Sequence, residues 1–219
     1  MTLINDLRRF VWIAKRNTRS PADGLSHDES AAIHLYTMEW TPSGNSLYAI
    51  LNRTLRASNR SQLTMKPWFK YLKLFLTALA KLPALSSSSQ SRIVWRGVKL
   101  NISELYVKDS YITWWSFSSC TKSLSLLESN MYLGQTGDRT IFNIETINGK
   151  DISSRSYFSQ EGEVLLMPGT YMTVVSKLKP APNLYMIQLK EIVPPSPLLE
   201  PPFYGKANHF SHLAILFLF

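Results

Sequence analysis

Two glutamates separated by a single glycine are the residues of this sequence whose type and spacing best suit chemistry. Glu161-Gly162-Glu163 stands directly before the apolar run at 164–167, which predicts a β-strand. Because side chains two apart on a strand share a face, both carboxylates are expected to point the same way. Such a pair suits a site that stabilises positive charge, either an oxocarbenium ion or a bound guanidinium. The alternative is an acidic edge strand that its charges keep soluble.

Two other strand ends carry polar groups that suit an anionic ligand. Arg96 and Gly97 follow an apolar run. A guanidinium can donate paired hydrogen bonds to a phosphate, and a glycine lets the backbone approach a ligand closely. The aromatic run at 114–117 leads into Ser119 and Thr121, whose small hydroxyl groups both donate and accept hydrogen bonds. The alternatives are an arginine paired with a carboxylate or with solvent, and a strand end whose hydroxyls simply face water.

Aromatic side chains precede the paired glutamates. The loop at 153–160 places Tyr157, Phe158 and Gln160 beside them, where exposed aromatic groups would contact a substrate. Packing into the hydrophobic core is the alternative for Phe158.

The pattern of the chain changes from helices to strands after the polar connector at 84–91. A Ser-x-x-Glu capping box at 26–29 predicts the start of one helix. Leucines every four residues predict a second helix at 45–56, and a first-turn proline predicts a third at 67–82. Strands are predicted at 92–96, 111–117, 139–146, 163–167, 171–179 and 183–192. Helices followed by strands indicate an α+β fold.

The size and charge of the chain limit what it can be. Its 219 residues and 45% hydrophobic content suffice for one folded domain with appended ends and exclude a disordered chain. A net charge of +9 indicates anionic partners, so a nucleic-acid-binding module is one alternative function. Its binding residues would be Trp68, Phe69 and Tyr71 interleaved with Lys66, Lys70 and Lys73. Their helical spacing favours instead a core position for the aromatics and a solvated face for the lysines.

Cysteine usage and the absence of long apolar runs bear on location. Cys120 is the only cysteine of the sequence, which excludes an intramolecular disulfide and fits a reducing compartment. No small-residue cleavage site follows the broken apolar stretch near the start, and no run reaches the ~20 apolar residues of a membrane span. We expect a cytoplasmic protein without a signal peptide, with secretion left open.

Three short polar motifs follow one another along the predicted strands: Arg96-Gly97, Ser119-Cys120-Thr121 and Glu161-Gly162-Glu163. Their order and separations resemble those of the arginine-directed mono-ADP-ribosyltransferases, the R-S-E class. The segments at 33–37 and 45–56 are also similar to the N-terminal lobe of that family. The resemblance covers about residues 28–192.

The resemblance implies a fold and a division of the chain. The fold is α+β, with an N-terminal helical lobe followed by a mainly antiparallel, two-sheet β core of the ADP-ribosyltransferase type. The expected divisions are an N-terminal extension at 1–25, an ADP-ribosyltransferase domain at 26–193 with its lobe at 26–83 and its β core at 92–193, and a proline-rich and apolar tail at 194–219.

The same resemblance implies roles in binding NAD. Arg96 would grip the phosphate and ribose region, helped by the backbone of Gly97, and Ser119 would brace the site. Thr121 stands where the family has the last serine of a Ser-x-Ser element, and it keeps the hydroxyl of an NAD-binding residue. Cys120 between them introduces a thiol, which suggests a site sensitive to oxidation.

The glutamates are implied to divide the chemistry. Glu163 would bond the 2′-hydroxyl of the nicotinamide ribose and stabilise the oxocarbenium ion, and Glu161 would direct transfer to arginine. The loop at 157–160 would recognise the acceptor protein. Tyr132 is a candidate for the aromatic side chain that stacks on nicotinamide.

The function expected from this resemblance is transfer of ADP-ribose from NAD or NADP to arginine side chains of an acceptor protein, with release of nicotinamide. NAD is then a co-substrate, and no metal is required. A fold other than the Rossmann type is expected, because the sequence lacks a G-x-G-x-x-G motif. We expect a monomer whose partners are NAD and an arginine-bearing protein, and not nucleic acid. The same residues would also suit an NAD glycohydrolase, in which water replaces the acceptor, or a pseudoenzyme that binds NAD without turnover.

Overall fold

The computed structural model describes residues 4–42, 44–85, 92–130 and 132–199. Helices occupy the first part of these ranges and strands the second, which confirms the predicted α+β fold with its helical N-terminal region. The described residues up to Leu82 form one compact unit together with Ser154–Phe158 and with residues 196–199. The described parts of Pro83–Ser153 and Ser159–Pro195 form a second unit. The predicted tail lies outside the described residues from position 200 onward.

The first unit is helical. Its helices are α1 (Leu7–Asn17), α2 (His27–Thr37), α3 (Leu47–Arg56), α4 (Gln62–Met65) and α5 (Phe69–Lys81). None of these helices is long and apolar enough to cross a membrane.

Helix α2 is central in this unit, because nearly all of its residues are buried. It begins at the predicted capping box. Ser26 Oγ accepts a hydrogen bond from the backbone N–H of Glu29 at 3.2 Å, and the backbone N–H of Ser26 donates to the Glu29 carboxylate at 2.7 Å. Helix α1 packs against α2 and stacks Phe10 on Trp40 with ring centroids 4.0 Å apart. This helix lies in the segment 1–25, which the sequence assigns to an extension.

The aromatic side chains of the basic helix pack inside the first unit. A single 3₁₀ turn at Lys66–Trp68, which contains the predicted N-terminal proline, leads into α5. Trp68 is buried. Tyr71 donates a hydrogen bond to the Ala32 carbonyl oxygen at 3.0 Å and stacks on Phe75. These contacts cover the ring faces that would have to stack on nucleic-acid bases. They therefore favour the interpretation that Trp68 and Tyr71 are core residues.

The second unit is built on one sheet. Its strands are β1 (Ile93–Val98), β2 (Tyr111–Trp114), β3 (Ser118–Thr121), β4 (Arg139–Glu145), β5 (Lys150–Asp151), β6 (Glu163–Leu166), β7 (Thr170–Ala181) and β8 (Leu184–Glu191). They lie in the order β2-β7-β8-β4-β1-β3-β6-β5, and all neighbours are antiparallel except β4 and β8. The mainly antiparallel core is therefore confirmed.

The expected division of the strands into two sheets is corrected by this topology. Strand β1 pairs with β4 along its whole length and also with β3, through Trp95 and Thr121. It thereby joins the two halves of the core into one continuous sheet of eight strands.

The run at 111–117 predicts one strand, but β2 ends at Trp114, and after a bend at Ser116 a separate strand, β3, begins at Ser118. Strand β2 lies at the edge beside β7, whereas β3 lies between β1 and β6. Alternation of side chains alone does not reveal such a break, because apolar and aromatic residues continue through the bend. The break moves Ser119 and Thr121 to the interior of the sheet, beside the strand that carries Glu163.

The two faces of the sheet are covered differently. The main core lies on one face and is formed by the buried side chains of Val94, Cys120, Phe142, Ile144, Val164, Leu166, Met172, Val174, Ile187 and Leu189. A smaller cluster of Leu127, Leu133 and Ile141, with Trp95 and Tyr132 packed on it, lies apart from this core.

A buried carboxylate fixes the turn between β4 and β5. Glu191 accepts hydrogen bonds from the Thr146 hydroxyl at 2.6 Å and from the backbone N–H groups of Ile147 and Asn148 at 2.6 and 3.0 Å. Strand β5 pairs with β6, so this network also supports the strand on which Glu163 lies.

Candidate active site

Strands β1, β3 and β6 bring the three polar motifs together. Thr121 of β3 lies opposite Trp95 of β1 on one side and opposite Glu163 of β6 on the other. Because alternate residues of a strand share a face, Ser119, Thr121 and Glu163 point to one face of the sheet. Cys120 points to the other face, into the main core.

Arg96, Ser119 and Glu163 form one hydrogen-bonded unit. Ser119 Oγ donates to Oε1 of Glu163 at 2.6 Å, and Nη1 of Arg96 donates to the backbone carbonyl oxygen of Ser119 at 2.6 Å. Glu163 is only 6% exposed, so its carboxylate is held in place with little access to water. Ser119 thus binds the Glu163 carboxylate through its hydroxyl group and the Arg96 guanidinium through its carbonyl oxygen.

Glu161 does not lie on the strand that carries Glu163, which corrects the expectation that the pair shares a strand face. It ends a 3₁₀ turn at Ser159–Glu161, and β6 begins only at Glu163. Gly162 between them has a φ of 57°, in the left-handed region that favours glycine. Thr121 Oγ1 donates to the backbone carbonyl oxygen of Glu161 at 2.7 Å. This contact holds the turn beside the sheet.

Both glutamates line one cavity of ≈ 240 Å³ in the second unit. Its polar walls come from Arg96, Ser119, Thr121, Tyr132, Glu161 and Glu163, and the remaining walls from Trp95, Gly97, Cys120, Leu126 and Leu127. A guanidinium and two carboxylates around one space can bind an anionic ligand and stabilise a positive charge that develops beside it. Among the described residues, no group of three or more His, Cys, Asp or Glu side chains is placed to hold a metal ion.

Gly97 makes room for a neighbouring loop. A Cβ atom at this position would lie 3.1 Å from Cβ and from Cδ1 of Leu133. The sequence predicts that a ligand approaches the backbone of Gly97 closely. In the structure, the side chain of Leu133 also approaches it closely. Leu133 is buried. The residue before it, Tyr132, donates a hydrogen bond from its hydroxyl group to Oε1 of Glu161.

Three residues of the cavity wall were not singled out as site residues from the sequence. Trp95 directly precedes Arg96, and Leu126 and Leu127 lie on a 3₁₀ turn at Leu124–Glu128. The local sequence gives no signal for Trp95, because neighbouring residues of a strand point to opposite faces; its pairing with Thr121 places it on the face of Glu163. The leucines carry no signal either, since nothing in their local sequence differs from that of core residues.

The residues predicted to recognise the acceptor are not among those that line the cavity in the described part of the chain. Tyr157 is 47% exposed and packs edge-on against His34, and Phe158 packs edge-on against Tyr157. Gln160 is exposed on the turn that ends at Glu161. Their role in acceptor recognition stays a prediction.

His34 holds the segment that carries Tyr157. Nδ1 lies 3.0 Å from the carbonyl oxygen of Arg155, and Nε2 lies 3.1 Å from Nδ2 of Asn17. A carbonyl oxygen can only accept, so Nδ1 carries the proton, and Nε2 accepts from the amide group of Asn17. The ring is therefore neutral, and its burial lowers the pKa of His34.

We expect the free energy of unfolding to fall as the pH is lowered from about 7.5 to about 5.5, since an unfolded histidine titrates near ~6.5. In that range His34 binds a proton in the unfolded chain but stays neutral in the folded protein. The stabilisation is present above the pKa of the unfolded state and is lost below it. A single proton limits the slope to ~1.4 kcal/mol per pH unit.

Urea denaturation at each pH measures this slope. The variant His34→Phe should have a shallower slope than the wild type, whereas His27→Gln, at an exposed histidine, should keep it. Equal slopes in all three proteins would show that His34 does not cause the pH dependence.

Cys120 does not make the site sensitive to oxidation, contrary to the suggestion from its sequence position. It is buried in the main core, and Sγ lies 3.8 Å from the carbonyl oxygen of Ser118. Burial raises the pKa of the thiol to about 12. Oxidation requires the thiolate, so this thiol is inert in the folded protein.

The fold and the cavity define a class of protein. The eucaryotic mono-ADP-ribosyltransferase ART2.2 is 22% identical, with a TM-score of 0.62 over 89% of this chain and 82% of that chain. HopU1 of Pseudomonas syringae is 18% identical, with a TM-score of 0.61 over 82% of each chain. The Vis toxin from Vibrio Splendidus is 17% identical, with a TM-score of 0.58 over 87% of this chain and 88% of that chain. These similarities show the ADP-ribosyltransferase fold.

The chain belongs to the NAD:arginine ADP-ribosyltransferase family, whose model matches residues 6–195. Ecto-ADP-ribosyltransferase 5 of Rattus norvegicus is 30% identical over 164 residues, which are 72% of this chain and 50% of the relative. The protein of the same name from Mus musculus is 29% identical over 164 residues, with the same coverage. The chain therefore spans about half the length of the curated relatives it matches.

Proposed function

We propose that the protein transfers ADP-ribose from NAD to the guanidinium group of arginine side chains and releases nicotinamide. The observation that carries this proposal is the buried Glu163 carboxylate, held by Ser119 at 2.6 Å in a cavity that Glu161 also lines. Membership of the family supports the same conclusion.

The first step breaks the bond between the nicotinamide nitrogen and C1′ of the ribose. The electron pair of that bond leaves with nicotinamide, whose ring nitrogen loses its positive charge. The sugar becomes an oxocarbenium ion. A carboxylate fixed in advance stabilises this charge as it forms, without reorientation of the protein. Glu163 meets that requirement, because the Ser119 hydroxyl and the register with β3 hold it.

The second step joins the sugar to the acceptor. An arginine guanidinium is a poor nucleophile, because it is protonated at ordinary pH, with a pKa above ~12. One of its terminal nitrogens attacks C1′ with its lone pair, and the proton it loses must pass to a base. Glu161 supplies that base from the same cavity as Glu163. If water attacks instead, the product is ADP-ribose, which is the glycohydrolase reaction.

Arg96 supplies the positive charge for the phosphate and ribose region of NAD. A guanidinium carries five N–H donors, and the contact with Ser119 uses one of them. Its position at the cavity wall, next to Gly97 and Trp95, supports a role in holding the dinucleotide. Ser119 and Thr121 brace the two glutamates around the same ligand.

The acceptor is proposed to be an arginine-bearing protein that contacts the segment with Tyr157, Phe158 and Gln160. The exposed ring of Tyr157 supports this role. The protein is further proposed to act as a monomer in the cytoplasm. Its single, buried cysteine is compatible with a reducing compartment.

Incubation of the purified chain with NAD labelled in the nicotinamide ring and in the adenosine tests the function. We expect release of labelled nicotinamide and, when agmatine is added as a free guanidinium acceptor, formation of ADP-ribosyl-agmatine. A protein that unfolds cooperatively on heating, and is therefore folded, but leaves NAD intact under all conditions would overturn the proposal.

A further inference from the structure

Tyr132 contacts the carboxylate that is proposed to receive the proton of the acceptor. Its hydroxyl donates a hydrogen bond to Oε1 of Glu161. The contact from Thr121 goes to the backbone of Glu161 and leaves the side chain able to rotate. Among the hydrogen bonds of the described residues, the one from Tyr132 is therefore the one that holds the Glu161 carboxylate.

Hydrogen bonds and packing hold the backbone from Tyr132 to Gly134. The backbone N–H groups of Tyr132 and Gly134 both donate to the carbonyl oxygen of Ser129 at 3.0 Å. Leu133 is buried against Gly97, which has no side chain to displace it. These contacts hold the backbone at Tyr132, Leu133 and Gly134, and a donor held in this way can select one orientation of a carboxylate.

The phenol can act only as a donor in this contact. Burial and the neighbouring carboxylates of Glu161 and Glu163 raise the pKa of Tyr132 above its ordinary value, so the hydroxyl keeps its proton. A hydrogen bond from a hydroxyl to a carboxylate is assisted by charge and strongly directional. It holds Oε1 of a carboxylate that lines the cavity.

We propose that the hydroxyl group of Tyr132 is a positioning group that orients Glu161 and thereby favours transfer to a guanidinium over hydrolysis by water. This inference rests on the proposed function. Removal of a proton from a guanidinium needs a base at a defined position, whereas stabilisation of the oxocarbenium ion by Glu163 does not involve Glu161. The hydroxyl group should therefore affect transfer to a guanidinium much more than hydrolysis by water. The ring of Tyr132 can still stack on nicotinamide without it.

The variant Tyr132→Phe removes the hydroxyl and keeps the ring. We expect kcat/KM for agmatine to fall by at least about tenfold, because one charge-assisted hydrogen bond to the base is lost. The ratio of ADP-ribosyl-agmatine to ADP-ribose should fall with it, because hydrolysis by water does not use Glu161. Tyr111→Phe is the matched control, since Tyr111 lies on β2, is exposed and stacks on Tyr171.

The split between kcat and KM for agmatine gives a second readout that a purely structural role would not move. A group that orients the base acts in the chemical step, so the loss in Tyr132→Phe should lie in kcat for transfer and not in KM for agmatine.

Each outcome decides the inference. Equal transfer by Tyr132→Phe and wild type would overturn it, and so would faster transfer, which would mean that the hydroxyl competes with the acceptor. A parallel loss of transfer and hydrolysis with a raised KM for NAD would also overturn it, because the hydroxyl would then serve NAD binding. Failure of the wild type to cleave NAD would overturn the proposed function and this inference together. If only the inference on Tyr132 is wrong, the wild-type protein still transfers ADP-ribose to agmatine.

Discussion

Glu163→Gln is expected to lower the rate of NAD cleavage by roughly 10³-fold, with or without an acceptor, while the protein stays folded. The substitution replaces one carboxylate oxygen by an NH2 group of similar size and keeps the other oxygen, so the Ser119 hydroxyl, 2.6 Å from Oε1 in the wild type, keeps an acceptor. The negative charge is lost. Because Glu163 is only 6% exposed, water cannot replace its carboxylate as a fixed source of negative potential beside the oxocarbenium ion.

Release of labelled nicotinamide measures this loss. Calorimetric titration with NAD should show that binding is retained, because removal of an anion does not weaken the binding of an anionic dinucleotide. Glu145→Gln is the matched control. It makes the same chemical change on β4, at an exposed ion pair 3.3 Å from Lys190 that contributes little to stability. If Glu163→Gln kept more than about a tenth of the wild-type rate, the role proposed for Glu163 would be wrong.

Glu161→Gln is expected to lower the rate of transfer to agmatine by roughly 10²-fold or more. The rate of NAD hydrolysis should stay within about threefold of the wild-type rate. A glutamine cannot accept the proton that the guanidinium must lose. Its amide oxygen can still accept the hydrogen bond from Tyr132, and its backbone carbonyl still accepts from Thr121. The turn and the cavity should therefore keep their shape, and Glu163 remains available to stabilise the oxocarbenium ion.

Chromatographic separation of ADP-ribosyl-agmatine from ADP-ribose measures both reactions in one sample. The ratio of the two products is the decisive quantity, since it cancels differences in the amount of active protein. An equal loss of both products in Glu161→Gln would show that Glu161 serves NAD cleavage itself, and the division of roles between the two glutamates would have to be abandoned.

Local signals in the sequence predict most helices well. The capping box at Ser26 and Glu29 marks the start of α2, because both of its hydrogen bonds lie within four residues of the chain. The start of α5 is marked in the same way by a proline that suits the first turn. Helix α1 has no such cap, since the side chain of Asp6 makes no capping hydrogen bond, and the sequence alone did not place it.

Five of the six predicted strands lie within two residues of the observed bounds, but the order in which the strands pair could not be predicted, because the partners are distant along the chain. The strand predicted at 111–117 ends at Trp114, and the strand that begins at Ser118, after the bend at Ser116, lies far from it in the sheet. Glu161 is close to Glu163 in sequence, yet the left-handed Gly162 removes it from the strand. Neither departure follows from alternation of side chains, because tertiary pairing selects where a strand begins and ends.

The sequence by itself determined which groups are present and in what order: an arginine, a serine and two glutamates in strand-forming surroundings, which sufficed to indicate the family. Only the tertiary structure decided that β1, β3 and β6 are neighbours, that Ser119 lies between Arg96 and Glu163, and that Tyr132 holds Glu161. The physical reason is that chemical identity is local, whereas a hydrogen bond needs a defined distance between groups tens of residues apart. That distance is set by sheet register and packing, to which the whole domain contributes.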